Sequence, residues 1–154
     1  MTFNKYHKNF KNPLNMKKMH KTKKELDELT YIVIGAAIEV HKELGPGLLE
    51  QVYHKCMMHE LSLRGIRFKA ELTTPINYKG IEIDANLRLD LLIEDILPVE
   101  LKATDGIAPV FEAQILSYMK LLKVPKGLLI NFNVTNIVNE GQRTFVNRLY
   151  SDLD

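Results

Sequence analysis

Several features common in exported or membrane-bound proteins are scarce in this chain. It has 154 residues and a single cysteine, Cys56, so an intramolecular disulfide is impossible and a reducing cytoplasm is the simplest setting. No apolar run approaches the roughly 20 residues that span a bilayer. The lysines at the amino terminus are not followed by the apolar segment of a secretory signal. The sequence therefore predicts a cytoplasmic protein with no membrane partner.

Acidic residues are absent from the first 24 positions, which contain eight lysines. The whole chain has a net charge of only +2, so the remainder is acidic. Such a basic segment attracts polyanions, and its low apolar content predicts disorder in isolation. A solvated lysine-rich tail is the alternative. We expect a basic arm at 1–24 and one domain at 25–154.

The spacing of apolar residues predicts two consecutive helices after the arm. Apolar residues recur every three or four positions, at Leu26, Leu29, Val33, Ala36, Val40 and Leu44. Gly45-Pro46-Gly47 should end this first helix, and Gly65 should end a second one. Two helices packed together are thus expected to open the domain.

The remainder of the chain alternates in the manner of strands, with one further helix at 109–123. Strands are expected at Leu72–Tyr78, interrupted by Pro75, at Ile81–Ile93, Leu97–Ala103, Gly127–Phe132 and Thr144–Tyr150, the last after a turn at Asn139-Glu140-Gly141. The order α-α-β-β-β-α-β-β predicts an α/β protein, close to α+β, with a mixed central sheet flanked by helices.

Charged residues lie inside two of these apolar strands. Glu100 and Lys102 should project from one face of their strand, and a short turn at Glu94-Asp95 can place Asp90 beside Glu100. Because buried charges need partners, these residues suit either a Mg²⁺ site or a buried Lys–Glu ion pair. With Mg²⁺ the chemistry would be phosphodiester hydrolysis, in which Lys102 adds positive charge near the attacking water or orients it.

Five segments in order resemble the GxxExxY proteins, within the PD-(D/E)XK nuclease superfamily. The resemblance covers roughly residues 28–149 and rests on Gly47–Tyr53, Arg88–Leu92, Val99–Ala103, Gln114–Tyr118 and Gly127–Phe132. It implies a restriction-endonuclease-like core and a nuclease that uses Mg²⁺, with Mn²⁺ as a substitute. The motifs do not specify the substrate, and some superfamily members bind without cutting.

The resemblance also implies a role for each catalytic position. Asp90 matches the metal-binding Asp of the second strand, while Glu100 and Lys102 match the Glu-x-Lys motif. Glu50 matches a helix carboxylate that assists the metal or its water. Leu89 departs from the superfamily pattern, which has proline there.

Four further residues are expected to support the site or bind substrate. Gln114 and Tyr118 look like the Gln-x-x-x-Tyr motif of exonuclease-like members, although helix-to-sheet packing explains them as well. Tyr53 is a core or supporting residue near Glu50. Arg88 is suited to a phosphate contact or to an ordinary surface position.

Three hypotheses about function remain open at this stage. The first is a Mg²⁺-dependent nuclease that acts on DNA, in repair, recombination or defence. The second is a non-catalytic nucleic-acid-binding module on the same fold, and the third is a regulatory or protein-interaction domain. Joint presence of Glu50, Asp90, Glu100 and Lys102 favours the first. The sequence does not determine whether the substrate is DNA or RNA, in which polarity it would be cleaved, or whether the protein is a homo-oligomer.

Overall fold

A computed structural model describes residues 21–154, and most of the predicted arm, residues 1–20, lies outside them. Its helices are α1 (Lys23–Leu44), α2 (Glu50–Leu63), α3 (Pro109–Leu122) and α4 (Arg148–Ser151), with a π-helical turn at Ile137–Gly141. Its strands are β1 (Phe68–Thr73), β2 (Ile76–Tyr78), β3 (Ile81–Ile83), β4 (Arg88–Ile93), β5 (Leu97–Lys102), β6 (Lys126–Asn131) and β7 (Gln142–Val146). No helix within the described part is long and apolar enough to cross a membrane.

Five strands form the central sheet, in the spatial order β1-β4-β5-β6-β7. β5 and β6 are parallel and are joined by α3, whereas the other neighbouring pairs are antiparallel. β2 and β3 form a separate hairpin between β1 and β4. The elements of the central sheet and the three longer helices follow the predicted order α-α-β-β-β-α-β-β, and the α/β class with a mixed sheet is confirmed.

The strand boundaries around this hairpin differ from the expectation. The predicted strand Leu72–Tyr78 is divided at Pro75, which has no N–H to donate to a ladder. The predicted strand Ile81–Ile93 is divided between Ile83 and Arg88, where Asn86 has a φ of +51°. The two breaks allow the hairpin to leave the sheet.

The carboxyl-terminal boundaries also differ. The predicted turn at 139–141 belongs to the π-helical turn, and β7 ends at Val146 instead of continuing to Tyr150. Asn147 stops the strand because its side chain caps α4 at Leu149 N–H and donates to the carbonyl of Val124. Residues 148–151 are therefore helical, and the strand predicted there is wrong.

Helices cover both faces of the sheet. α1 begins with a capping box between Thr22 and Glu25, and it packs with α2 in the larger buried cluster. α3 lies on the opposite face, next to β6. A Cβ at Gly127 of β6 would lie 2.8 Å from Met119 Sδ and 2.9 Å from Ile115 Cγ1, so α3 approaches the strand more closely than another residue would allow.

The alternation of side chains in β4 changes at Asp90. Leu89 and Leu92 pack with Tyr118 of α3, whereas Leu91 and Ile93 belong to the cluster under α1 and α2. Regular alternation along the predicted strand Ile81–Ile93 would place Leu89 and Leu91 on one face, and the structure places them on opposite faces. Regular period-2 alternation requires a regular strand, and the ladder is interrupted at Asp90.

Candidate active site

Asp90 and Glu100 lie side by side where β4 and β5 separate. The ladder between these strands begins at the pair Leu91–Val99. Beyond it, side chains replace the backbone pairing, because Asp90 N–H donates to Glu100 Oε1 at 3.1 Å and Leu101 N–H donates to Asp90 Oδ2 at 2.8 Å. The structure thus brings two carboxylates together on adjacent strands.

The Glu100 carboxyl is buried, with only 5% of the residue exposed. Burial, followed by the negative charge of Asp90, raises its pKa to about 8, against opposing contributions from the Asp90 N–H and Lys102. Two adjacent carboxylates in such surroundings are costly when both are ionised. The pair is therefore suited to a proton or to a bound cation.

Lys102 does not neutralise this pair by direct contact. Within residues 21–154 its ammonium forms no ion pair with Asp90 or Glu100. Instead, Lys102 Nζ lies 4.4 Å from the centroid of the Phe111 ring of α3, in the range of a cation–π contact. The alternative from the sequence, a Lys–Glu ion pair that merely satisfies the strand, is not formed.

Glu50 approaches the pair from the first position of α2. Glu50 is exposed at the protein surface, but its pKa is raised by desolvation from the surrounding protein and by Asp90, and Lys102 opposes this shift. Glu50 is therefore within electrostatic range of both charges. Nevertheless, among residues 21–154 no three Asp, Glu, His or Cys side chains are arranged to hold a metal ion. Glu50 thus does not complete a three-carboxylate cage with Asp90 and Glu100.

The remaining donor set still fits a hard cation. Mg²⁺ commonly takes one or two protein carboxylates and completes its shell with water and substrate phosphate. Asp90 and Glu100 supply two adjacent carboxylates, and burial together with the Asp90 charge raises the pKa of Glu100 to about 8, which makes a bound cation favourable there. We conclude that the residues present fit a Mg²⁺-type ion with an incomplete protein shell.

Tyr118, on α3, is the supporting residue within electrostatic range of both carboxylates. It is buried, and its pKa is raised by burial and by the charges of Glu100 and Asp90. Gln114 lies one turn earlier on the same helix and is half-buried. Arg88 is exposed at the start of β4, opposite Thr73 of β1. These positions place Tyr118 near the carboxylates and leave Arg88 at the surface.

Tyr53 fixes the loop that leads into Glu50. Its hydroxyl donates to the carbonyl of Gly45 at 2.6 Å and accepts from Leu48 N–H at 3.2 Å. Its ring stacks on Phe132 with 4.5 Å between centroids. Tyr53 therefore connects the start of α2 to the end of β6 and holds no position at the carboxylates themselves.

We expect Tyr53→Phe to lower the free energy of unfolding by about 1–3 kcal/mol, because two loop groups lose their buried partner. The ring stacking should remain, so circular dichroism should show an unchanged fold with a lower melting temperature. Tyr31→Phe is the control, since Tyr31 is 80% exposed. Equal stability of the two variants would contradict the role assigned to Tyr53.

His54 is a site residue that the sequence analysis missed. Its Nε2 lies 3.2 Å from the backbone carbonyl oxygen of Asp90. The available signal was its position four residues after Glu50, on the same side of α2. A search for metal-binding spacing between histidines could not find it, because His54 bonds to a backbone carbonyl and not to a metal ion.

Asn131 was also missed, although it is a polar residue in the apolar run 127–132. It is fully buried beside Lys102 in the parallel ladder. Its Oδ1 accepts from Thr104 N–H and Asn133 N–H, and its Nδ2 donates to the carbonyl of Thr104. Asn131 thus fixes the loop that follows Lys102.

Comparison with known proteins assigns the family. The model of the PD-(D/E)XK nuclease superfamily matches residues 27–144, which include β4, β5, α2 and α3. This chain belongs to that superfamily. Its nucleases generally use divalent metal ions, and membership implies a nucleic-acid substrate. No curated protein and no solved structure matches the chain.

Proposed function

We propose that this protein is a Mg²⁺-dependent nuclease that hydrolyses phosphodiester bonds of DNA, and that Mn²⁺ can replace Mg²⁺. The observation that supports this most directly is the Asp90–Glu100 pair, which is buried at Glu100 and has no cation in ion-pair contact within the described residues. The motifs at 47–53 and 114–118 support a place among the GxxExxY proteins. Repair, recombination or defence are the roles that such an activity would serve.

The bound ion would activate water and stabilise charge on the phosphate and the leaving oxygen. Asp90 and Glu100 would hold it from adjacent strands. Lys102, whose ammonium rests on Phe111 near the carboxylates, would orient the attacking water and stabilise the phosphate as negative charge develops. Glu50, at the start of α2, would accept a hydrogen bond from the same water. Water would add to phosphorus as the bond to the leaving oxygen breaks, giving one proton to Glu50 and from there to solvent, while the leaving oxygen would take a proton from solvent.

Gln114 and Tyr118 support DNA as the substrate, because they match the Gln-x-x-x-Tyr pattern of exonuclease-like members. Tyr118 lies within electrostatic range of Glu100 and Asp90, and its hydroxyl would contact the nucleotide next to the cleaved bond. Arg88 is exposed two residues before Asp90 and can contact a phosphate further along the strand.

The direct test is incubation of purified protein with linear duplex, circular duplex, single-stranded DNA and RNA, at increasing Mg²⁺ or Mn²⁺. Cleavage products should appear with either metal and disappear with a chelator. Calorimetry on the same samples should detect metal binding to the protein alone. Metal binding and DNA affinity without products on any substrate would instead support the non-catalytic binding module.

Deletion of residues 1–20, most of the basic arm, tests whether the arm adds affinity for DNA and is dispensable for the fold. α1 begins at Lys23, so removal of residues 1–20 leaves its cap at Thr22 intact and should preserve the fold. The variant should bind DNA more weakly and with a shallower salt dependence, since each phosphate contact contributes about 0.7–0.9 to the slope of log affinity against log salt. Metal affinity should not change.

The salt slope separates the two interpretations of the arm. A truncated protein that stays folded and keeps the slope of the full chain would show that these lysines are a solvated tail. Loss of folding on truncation would place structure in the arm and contradict the proposed domain boundary.

A further inference from the structure

Asp90 is missing from the residue pairs that join β4 to its two neighbouring strands. β1 and β4 pair at Ala70–Leu91 and at Leu72–Leu89, and the level between them, Glu71 opposite Asp90, is left out. Glu71 has a φ of +52°, a left-handed conformation that removes it from regular strand geometry. On the other side, the pairing with β5 starts only at Leu91. Regular pairing is therefore interrupted at Asp90, and side-chain contacts there add to those of the sheet.

Partly buried backbone groups need hydrogen-bond partners, and two side chains provide them here. Glu100 Oε1 accepts the Asp90 N–H, and His54 Nε2 lies 3.2 Å from the Asp90 carbonyl oxygen. A carbonyl oxygen can only accept, so the proton of this bond must be on His54 Nε2. The neutral imidazole is thereby assigned the Nε2–H tautomer.

His54 reaches Asp90 because it lies on the same helix face as Glu50. The two residues are four positions apart in α2, at the end of the helix that Tyr53 anchors through the carbonyl of Gly45. The helix that presents Glu50 is thus also bonded to the strand that carries Asp90. The described residues show no equivalent bond for His59, which is exposed one turn later.

We propose that His54 is a positioning residue of the metal site. Its Nε2–H holds the backbone of Asp90 in the gap of the sheet, so that the Asp90 carboxylate remains beside Glu100. Replacement of a residue that hydrogen-bonds to a metal ligand, without touching the metal, typically lowers metal affinity by about 10–100-fold. The proposal rests on the metal site proposed above, but the tautomer it requires can be measured without metal.

The first experiment is a ¹⁵N–¹H correlation spectrum of histidine-labelled protein in a chelator, at about pH 8.5, where histidine is neutral. The His54 resonances, assigned by comparison with His54→Gln, should show the Nε2–H tautomer. The Nδ1–H tautomer at His54 would overturn the proposal, whatever the protein binds or cleaves.

The second experiment measures Mn²⁺ affinity by calorimetry for the wild type, His54→Ala, His54→Gln and the control His59→Gln. Alanine should weaken binding about tenfold or more, because the carbonyl loses its donor. Glutamine places an N–H near the former Nε2 and should restore most of the affinity, which a purely space-filling role would not predict. His59→Gln should bind like the wild type.

The outcomes distinguish the two proposals. Absence of Mn²⁺ binding by the wild type would refute the proposed metal site, and the tautomer would then report on the positioning bond alone. Wild-type binding with equal affinity in His54→Ala would refute the role of His54 and leave the metal site standing. If His54→Ala does not fold, the test rests on His54→Gln. A folded His54→Gln protein that does not bind Mn²⁺ would overturn the proposal.

Discussion

Replacement of Lys102 by methionine is expected to lower metal-dependent cleavage by about 10²–10⁴-fold, the range typical of groups that assist proton transfer or stabilise developing charge. Methionine keeps an unbranched apolar stem of similar size, so packing against Phe111 should largely persist although the cation–π contact is lost. Metal affinity should be retained or rise, because a positive charge near the ion is removed. Single-turnover cleavage assays at saturating Mg²⁺, with calorimetry alongside, measure both quantities.

Lys120→Met is the matched control, because Lys120 is an exposed residue of α3. It should cleave like the wild type. Parallel loss of metal binding and cleavage in Lys102→Met would show that Lys102 maintains the site as a whole. Unchanged cleavage would mean that Lys102 has no part in the reaction.

The second large effect is expected for Glu100→Gln, which should abolish metal binding and stabilise the metal-free protein at about pH 8. Glutamine keeps the shape of the side chain and removes a buried charge beside Asp90. One unit of pKa difference between folded and unfolded states corresponds to about 1.4 kcal/mol. Each kcal/mol of stability changes the melting temperature by roughly 2–8 °C. We therefore expect metal-free Glu100→Gln to melt on the order of 5 °C or more above the wild type.

The sign of the pH dependence follows from the raised pKa of Glu100. Its pKa is about 8 in the folded protein against an ordinary value of 4.5, so the folded state binds more protons than the unfolded state between these limits. The contribution of this group to stability is fully present below about pH 4.5 and is lost as the pH rises through about 8. Melting temperatures measured in a chelator should therefore fall over this window in the wild type, and fall less in Glu100→Gln.

Addition of Mn²⁺ provides the complementary measurement. It should raise the wild-type melting temperature most at high pH, where Glu100 is ready to ionise, and should not affect Glu100→Gln. Glu82→Gln, on the exposed strand β3, is the control and should behave like the wild type. If Glu100→Gln melts below the wild type at about pH 8, the charge of Glu100 is already compensated in the wild-type protein.

The strand relationships of this site could be predicted because they depend on local rules. The short connection between β4 and β5 makes these strands neighbours, and Glu100 and Lys102 are two positions apart on one strand. The GxxExxY-like motifs then pointed to Glu50 on a helix, which no strand rule could place. The structure puts Glu50 within electrostatic range of Asp90, outside a direct three-carboxylate arrangement.

The missed features depend on backbone geometry and on distant contacts. The change of face at Asp90 requires the left-handed Glu71 on another strand, and neither residue type signals it. The partner of Lys102 is Phe111, which arrives on the crossover helix. His54 and Asn131 bond to backbone groups. Every residue has these groups, so no sequence pattern indicates which of them a side chain will meet. Local sequence patterns thus predict which site residues lie together. The residues that hold them in place can be identified only from the folded structure.

The close approach of α3 to Gly127 has a consequence for how this site can vary. The side chains of Ile115 and Met119 occupy the space that a Cβ would need, so the packing of α3 on β6 depends on the absence of one side chain. Phe111 and Tyr118 belong to the same helix, and they adjoin the two sides of the carboxylate pair, at Lys102 and at Glu100. We expect a larger residue at position 127 to push Ile115 and Met119 outwards and to shift Phe111 and Tyr118 with the helix. An uncharged position in β6 can therefore alter the electrostatic surroundings of Glu100 without touching any ionisable group.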